Sequence, residues 1–539
     1  MTTAVARFAG LLELVSFVAH HAFFSGDVPT LEAMSLVSKT FYAAATPYVY
    51  REVRIGQPET MLVFWPLMKN RKILRMKRGL NANINHVKEV VLYHNLGLPG
   101  LSGEEQHELL HQLLSQMPRL EHFEHIGRLL TPDLFRTLGR SCPRLTSLAL
   151  SMGADGRNFY NLYIRRRPLA PWTRIMHPKL ELGCLSGLRE LTLACIPIDD
   201  YDWWLPQLVQ LLKNSPRLTK LALGFYPVRP GDEEDDAAMH AHYYALDRLC
   251  DLYGRTGASP LRLSSLHLLG GTYPFSVNSL KKLADLTHLH DVYISILGAI
   301  ESPDTVALIA FAPPHAPNLR FFAVDLYIEA VHQHLCTTSE SDPSFVRNLG
   351  IFAQRMYIEE PPLYTTSLLQ PSPDHPSLPL QLKMLNLELS QNDGTGRKDE
   401  LQCSLEAEQA LEDLVSTNPD SLEGLDVSMP YRSIFDPDGF YDPNRPEADM
   451  EPSVRLLEPV LRRLPNLTQL SVRSVPCDEA TAERLALAGS CLRYIGLASQ
   501  YKLDHFWRVW RRDDGGIRLE QIQHRDAACV DLWRYSHLS

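Results

Sequence analysis

A short pattern of apolar positions, apolar-x-x-apolar-x-apolar, returns along most of this chain and predicts a series of β-strands. Clear copies are Leu145/Leu148/Leu150, Leu188/Leu191/Leu193, Leu218/Leu221/Leu223, Leu263/Leu266/Leu268, Leu422/Leu425/Val427 and Leu467/Leu470/Val472. Weaker copies are Val87/Val90/Leu92, Leu289/Val292/Ile294, Leu319/Phe322/Val324, Leu382/Leu385/Leu387 and Leu492/Ile495/Leu497, and one more begins at Leu120 and Phe123 but breaks off at His125. The last two apolar positions of a copy are two residues apart and point to one side of a strand; the first anchors the turn into it. Residues 104–117, 205–214, 405–416 and 454–464 carry helical periodicity and end shortly before a strand. Each unit therefore reads helix, turn, strand. One unit cannot bury its apolar side alone, so a stack of units is expected.

The series resembles a leucine-rich repeat solenoid over roughly residues 85 to 520. That resemblance implies an α/β fold with a curved parallel sheet and helices outside it. The copies are irregular, starting 25 residues apart between Leu120 and Leu145 and 63 apart between Leu319 and Leu382. Insertions fill the longer gaps: residues 153–183 with Arg165-Arg166-Arg167, the acidic run 230–236, the proline-rich 361–379, and 430–452, rich in Asp and Pro.

The pattern near the N-terminus is different. Leu31, Met34, Val37 and Phe41 recur at helical spacing, with Thr30 able to cap the start and Pro47 bounding the end, which predicts one helix carrying one apolar stripe. A second helical candidate runs from Leu11 through Leu12, Leu14, Phe17 and Val18. Two short apolar helices make too small a core to stand alone, the usual condition of a segment that folds against something else.

Leu36-Val37-Ser38-Lys39-Thr40-Phe41-Tyr42, followed by Ala44-Ala45-Thr46-Pro47 and Tyr50-Arg51-Glu52-Val53, resembles the second half of a fungal F-box. Phe8-Ala9-Gly10 stands where that family opens with Leu-Pro. The resemblance implies docking through apolar contacts on the adaptor subunit of an SCF-type cullin-RING ubiquitin ligase. The expected adaptor contacts are Leu11, Leu12, Leu14, Val18, Leu31, Met34, Leu36, Val37 and Phe41. The domains read as 8–55, a small all-α F-box-like unit; 56–84, a linker helix or entry cap; and 85–539, the repeat domain with its C-terminal cap.

Composition narrows the class without adding chemistry. Apolar content of 45% and charged content of 22% suit a globular chain, and a net charge of −10 over 539 residues disfavours nucleic acid as main partner. Nine cysteines occur singly, with no CxxC pair, which suits a reduced compartment, so a cytoplasmic or nuclear location is expected. Cys142, Cys184, Cys195 and Cys491 adjoin apolar motifs and read as small core residues. No run of eighteen uncharged apolar residues appears, so no membrane partner is expected.

The sharpest catalytic pattern is His107-Glu108-Leu109-Leu110-His111, an HExxH match whose imidazoles share a helix face and could hold zinc while Glu108 activates water. No third ligand follows, since Leu114 and Met117 stand where the extended motif needs Gly and His. His240 and His242 form a further alternate pair read as surface. There is no phosphate-cradling glycine loop and no GxSxG elbow. The expectation is therefore a binding protein with no catalytic residue, no metal and no cofactor.

Residues alternating with the repeat's apolar positions should point outward and form the target face. These include Glu190, Thr192, Lys220, Asp291, Tyr293, Phe321, Asp325, Met384, Glu388 and Asp426. Tyr293, Phe321 and Met384 are of interface-anchoring types, and the neighbouring acids would suit a basic partner segment. The function expected is substrate-recognition subunit of that ligase class, with adaptor and cullin as partners and an unknown protein as target. The alternative is a repeat scaffold without a ligase role, and a zinc peptidase is the third reading.

Overall fold

Strands form where the apolar pattern alternates, and consecutive strands pair side by side in chain order. The computed structural model describes residues 14–20, 22, 28–55, 81–93, 103–126, 131–151, 180–196, 201–225, 245–269, 275–294, 308–326, 350–355, 384–388, 422–428, 451–473, 475–498, 505–512 and 515–522, with short pieces between 334 and 349 and between 411 and 420. The chain divides into two compact units, one of Met1–Leu289 with Leu297–Ala310 and one of His290–Ile296 with Phe311–Ser539.

In the first unit, β1 (Glu52–Ile55), β2 (Glu89–Tyr93), β3 (His122–Ile126), β4 (Ser147–Ser151), β5 (Glu190–Ile196), β6 (Lys220–Phe225) and β7 (Ser265–Leu269) are all parallel. Parallel neighbours need a crossover, and helices fill it. The N-terminal helices α1 (Val28–Val37) and α2 (Lys39–Val49) precede β1; α3 (Gly103–Ser115), α4 (Pro132–Ser141), α5 (Tyr201–Lys213) and α6 (Ala245–Arg255) lie between later strands, and α7 (Val277–Leu283) follows β7. Thr131 caps α4 by accepting from the Leu134 amide at 3.3 Å, with Pro132 in the first turn.

The strands are held in step by one repeated device. The carbonyl before β1, that of Arg51, accepts from both Lys88 and Glu89 amides at 2.8 and 3.0 Å, and the carbonyls of Lys88, Glu121, Thr146, Arg189 and Thr219 repeat this on the next strand. A hydroxyl reinforces it at several turns: Thr146, Thr219 and Ser264 each donate to the same kind of carbonyl, at 3.3, 3.1 and 3.0 Å. Fixing the register in this way matters because a one-residue slip would turn every leucine to the other face.

The inward rows are then continuous. Val53, Val90, Phe123, Leu148, Leu191, Leu221 and Leu266 stand in register and are all buried. In the next row His125 stands between Leu92 and Leu150 and is 1% exposed, so the interrupted copy is a full strand with a buried imidazole in the third-leucine slot. Each buried leucine stabilises the stack by about 1.5–3 kcal/mol relative to an exposed one.

In the second unit β8 (Asp291–Ile294), β9 (Phe321–Leu326) and β10 (Gly350–Arg355) pair in parallel. Then β11 (Met384–Glu388), β12 (Gly424–Ser428), β13 (Gln469–Arg473) and β14 (Tyr494–Ala498) do the same. Two helices cross between the last of these, α8 (Glu451–Arg462) and α9 (Glu479–Ala488). β15 (His505–Arg511) and β16 (Ile517–Ile522) then run antiparallel. Their turn uses Gly515 at φ 82°, a left-handed conformation that favours glycine.

The α/β architecture with parallel strands in chain order is the one the pattern predicts. Three local expectations change. The segment 8–55 is not all helical, because β1 at its end is hydrogen-bonded into the sheet. The single helix expected over the apolar stripe is two helices, broken at Ser38, whose extended backbone and hydroxyl, accepting from the Phe41 amide at 3.3 Å, start α2; Pro47 sits inside α2, not beyond it. Cys142 is buried as expected, while Cys184 and Cys491 are exposed; the side chain of Cys195 and the insertions at 153–179, 230–236, 361–379 and 430–450 lie outside the described residues.

Candidate functional site

Helix geometry sorts the N-terminal segment into two faces. Over residues 14–20 and 22, Val15, Ala19 and Ala22 recur at helical spacing and are buried, whereas Leu14, Phe17 and Val18, along the flank of that face, are exposed. The buried face packs with Leu31 and Met34 of α1 and Ala45 of α2, against which Phe41, Ala44, Tyr48 and Val49 also pack. His20 and Tyr48 meet edge to face with ring centroids 6.0 Å apart, tying the first stretch to α2.

The break at Ser38 then decides where the remaining apolar side chains go. Leu36 is 85% exposed and Val37 68%, at the end of α1. The nine expected adaptor contacts therefore separate. Leu31 and Met34 are interior and the half-buried Phe41 packs on that interior, so all three hold the segment together. Leu14, Val18, Leu36 and Val37 face outward, and Leu11 and Leu12 lie outside the described residues. Phe17 and Tyr42 join the outward set, missed although Phe17 stands three residues from Leu14. Of the nine large hydrophobics exposed among the described residues, six lie between Leu14 and Tyr42.

The outward rows of the first unit's sheet carry charge. Arg51 pairs with Glu89 at 3.1 Å, Lys88 with Glu121 at 2.6 Å and Lys220 with Glu190 at 2.9 Å. The expected target-face residues Glu190, Thr192 and Lys220 stand here, half-buried or exposed. Between these pairs lies a chain the sequence reading missed. His122 Nδ1 is 2.8 Å from Ser147 Oγ, whose hydroxyl donates to Glu190 Oε2 at 3.3 Å, and His122 Nε2 lies 3.7 Å from Glu124, a charge pairing and not a hydrogen bond. Its signal was the alternation His122-Phe123-Glu124-His125, obscured because the apolar count stopped at His125.

Burial lowers the His122 pKa, but Glu124, Glu89 and Glu190 outweigh it, and the net shift is upward from the ordinary 6.5. A raised folded-state pKa means that folding favours the protonated ring. That contribution is complete below about pH 6.5 and is lost as pH rises through the folded-state value. Protection of the β3 and β4 amides, corrected for intrinsic exchange, is expected to fall as pH rises above about 6.5 in the wild type, and to fall less in His122→Gln.

In the second unit three residues of the expected face are interior. Tyr293 is 5% exposed, Asp291 9% and Asp426 4%, so they do not present an acidic, aromatic surface; β8 is covered on both sides. Asp426 is used internally, its Oδ2 lying 3.3 Å from the Arg473 guanidinium. Phe321 is half-buried, and the side chains of Asp325, Met384 and Glu388 lie outside the described residues.

The HExxH stretch lies on α3 as expected and works there as a packing helix. Leu109, Leu110, Leu113 and Leu114 are buried, His111 Nδ1 lies 3.0 Å from Thr137 Oγ1, and Glu108 accepts from Gln112 at 2.9 Å. Among the described residues no group of three or more His, Cys, Asp or Glu side chains could hold a metal ion, and His240 and His242 lie outside them. Among the same residues no helix is long and apolar enough to cross a membrane. No family model matches the sequence, and no curated protein matches it.

Proposed function

We propose that the chain is the substrate-recognition subunit of an SCF-type cullin-RING ubiquitin ligase, working in the cytoplasm or nucleus. The F-box-like helices hold the adaptor subunit, and a leucine-rich repeat sheet face holds a target protein. No bond is made or broken by this chain; its contribution is proximity, bringing a target's lysines near a ubiquitin-charged enzyme carried elsewhere in the assembly. The observation that carries the reading is that Leu14, Phe17, Val18, Leu36, Val37 and Tyr42 are all exposed on one short N-terminal segment with a small core of its own. An apolar surface of that kind is stable in water only at a cost, which a partner removes.

Co-purification with the adaptor tests it. The wild type is expected to retain the adaptor, and the double variant Leu36→Asp, Val37→Asp to retain at least about tenfold less, since charges would be buried in an apolar contact. Both positions are exposed, so the unfolding midpoint should stay unchanged. Equal retention by the double variant, or none by the wild type, would instead favour a repeat scaffold without a ligase role.

A further inference from the structure

The antiparallel hairpin that ends the second unit carries an ordered aromatic and cationic patch. In β15, Trp507 and Val509 are buried, and Arg511, on the same side of the strand, donates to the carbonyls of Ala486 in α9 and of Gly489 just after it, at 2.8 and 2.5 Å. Alternation sends Arg508 and Trp510 to the opposite face. Register places Tyr494 of β14 beside Arg508, Glu520 of β16 on its other side, and Arg518 beside Trp510.

These residues are locked together. The Arg508 guanidinium lies 5.9 Å from the Tyr494 ring centroid and 5.6 Å from that of Trp510, within cation–π range of both. Glu520 accepts from Trp510 Nε1 at 2.7 Å and lies 3.8 Å from Arg508 Nη1. Trp510 is nonetheless 49% exposed, and Arg512 and Arg518 are exposed beside it. Rigid Tyr, Trp and Arg side chains are those that dominate binding energies, because little rotamer freedom remains to be lost.

We propose that this hairpin face binds a linear acidic segment of a protein target, an apolar side chain of the segment lying on Trp510 and its carboxylates meeting Arg512 and Arg518. The proposal rests on the target-binding reading above and gives that target a chemistry. Charge complementarity selects it: Arg508 and Arg518 stand against the single Glu520 on this face, and Arg512, which follows β15, is exposed. It gives this face an acidic partner where a basic one was expected for the repeat face; of the four acids behind that expectation, Asp291 and Asp426 are interior and Asp325 and Glu388 lie outside the described residues. A nucleic acid would need a longer run of cations tracking its phosphates.

Fluorescence anisotropy of the full chain with a fluorescein-labelled peptide of alternating aspartate and phenylalanine tests the proposal, with a lysine-for-aspartate peptide and labelled oligothymidylate as comparisons. The wild type should bind the acidic peptide and not the basic one, and Trp510→Ala and Arg518→Glu should each weaken binding by about tenfold or more. Binding should also weaken as salt rises from about 50 to 300 mM. Both side chains are exposed, and an unchanged urea midpoint confirms that each variant is folded. Absence of acidic-peptide binding, binding that neither variant alters, or oligothymidylate binding with the same variant dependence would overturn it. Adaptor co-purification separates the two readings, because neither hairpin variant should alter it. Retained adaptor without peptide binding defeats this proposal alone, and peptide binding without adaptor defeats only the ligase reading.

Discussion

Replacing Phe123 by alanine is expected to cost the first unit about 3–5 kcal/mol, more than any surface change in the protein. The ring is fully buried in the middle of β3, with Val90 on one side in the inward row and Leu148 on the other. Removing it forfeits both transfer free energy and the contacts of its neighbours, and a parallel sheet whose register is set by paired amides on each side cannot collapse into the gap. Urea unfolding followed by circular dichroism measures the loss. A shift corresponding to less than about 1 kcal/mol would mean that the β2–β4 region relaxes freely, contrary to the packing described.

Arg473→Met should destabilise the second unit by about 3–5 kcal/mol, although the side chain is replaced by one of similar length. Arg473 and Asp426 side chains are 13% and 6% exposed, and the variant leaves a carboxylate buried without its cation. The site has little to offer in exchange: Asp426 Oδ1 already has no hydrogen-bond partner among the described residues, nor has the buried Ser471 Oγ, its register neighbour on β13. Adding Asp426→Leu to Arg473→Met should recover most of the loss, because the ion pair is costly to break and not to replace. A double variant as unstable as the single one would show that Asp426 matters for another reason. The same measurement on the first unit should be unaffected by either change.

Much of the scaffold was legible before any coordinates. Leucines at positions one, four and six of each copy mark the strands because sheet geometry allows only alternate residues to face inward, and β4, β5, β6, β12 and β13 fall on the copies that predicted them. The weak copies were legible for the same reason. The interrupted copy was not, because a histidine in a leucine slot carries no hydropathy signal, although His125 is as buried as the leucines beside it. Nor was the start of α2, where Ser38 reads equally well as a mid-helix residue or a cap until its backbone is seen to be extended.

The candidate surfaces divide along the same line. Alternation named which side chains leave the apolar side of a strand, and that holds for Glu190, Thr192 and Lys220 as for Tyr293 and Asp426. It could not say which of them reach water, because exposure depends on what covers a face, and alternation within one strand does not record that. Likewise the helical stripe identified Leu31, Met34 and Val37 as one apolar set, while the break at Ser38 kept two inside and left the third out.

What the amino-acid order determined by itself is local and periodic: where strands and helices begin, which side of each is apolar, and that a series of such units must stack to hide it. What only the tertiary structure decided is which polar and apolar groups are left over after stacking. The Glu124–His122–Ser147–Glu190 chain crosses β3, β4 and β5, and the Tyr494–Arg508–Trp510–Glu520 patch crosses β14, β15 and β16. Both arise because parallel and antiparallel registers bring residues separated in sequence to neighbouring positions on one face. Pairing energies between such residues are small beside the hydrophobic burial that sets the registers, so the leucines choose the neighbours and the charges inherit them.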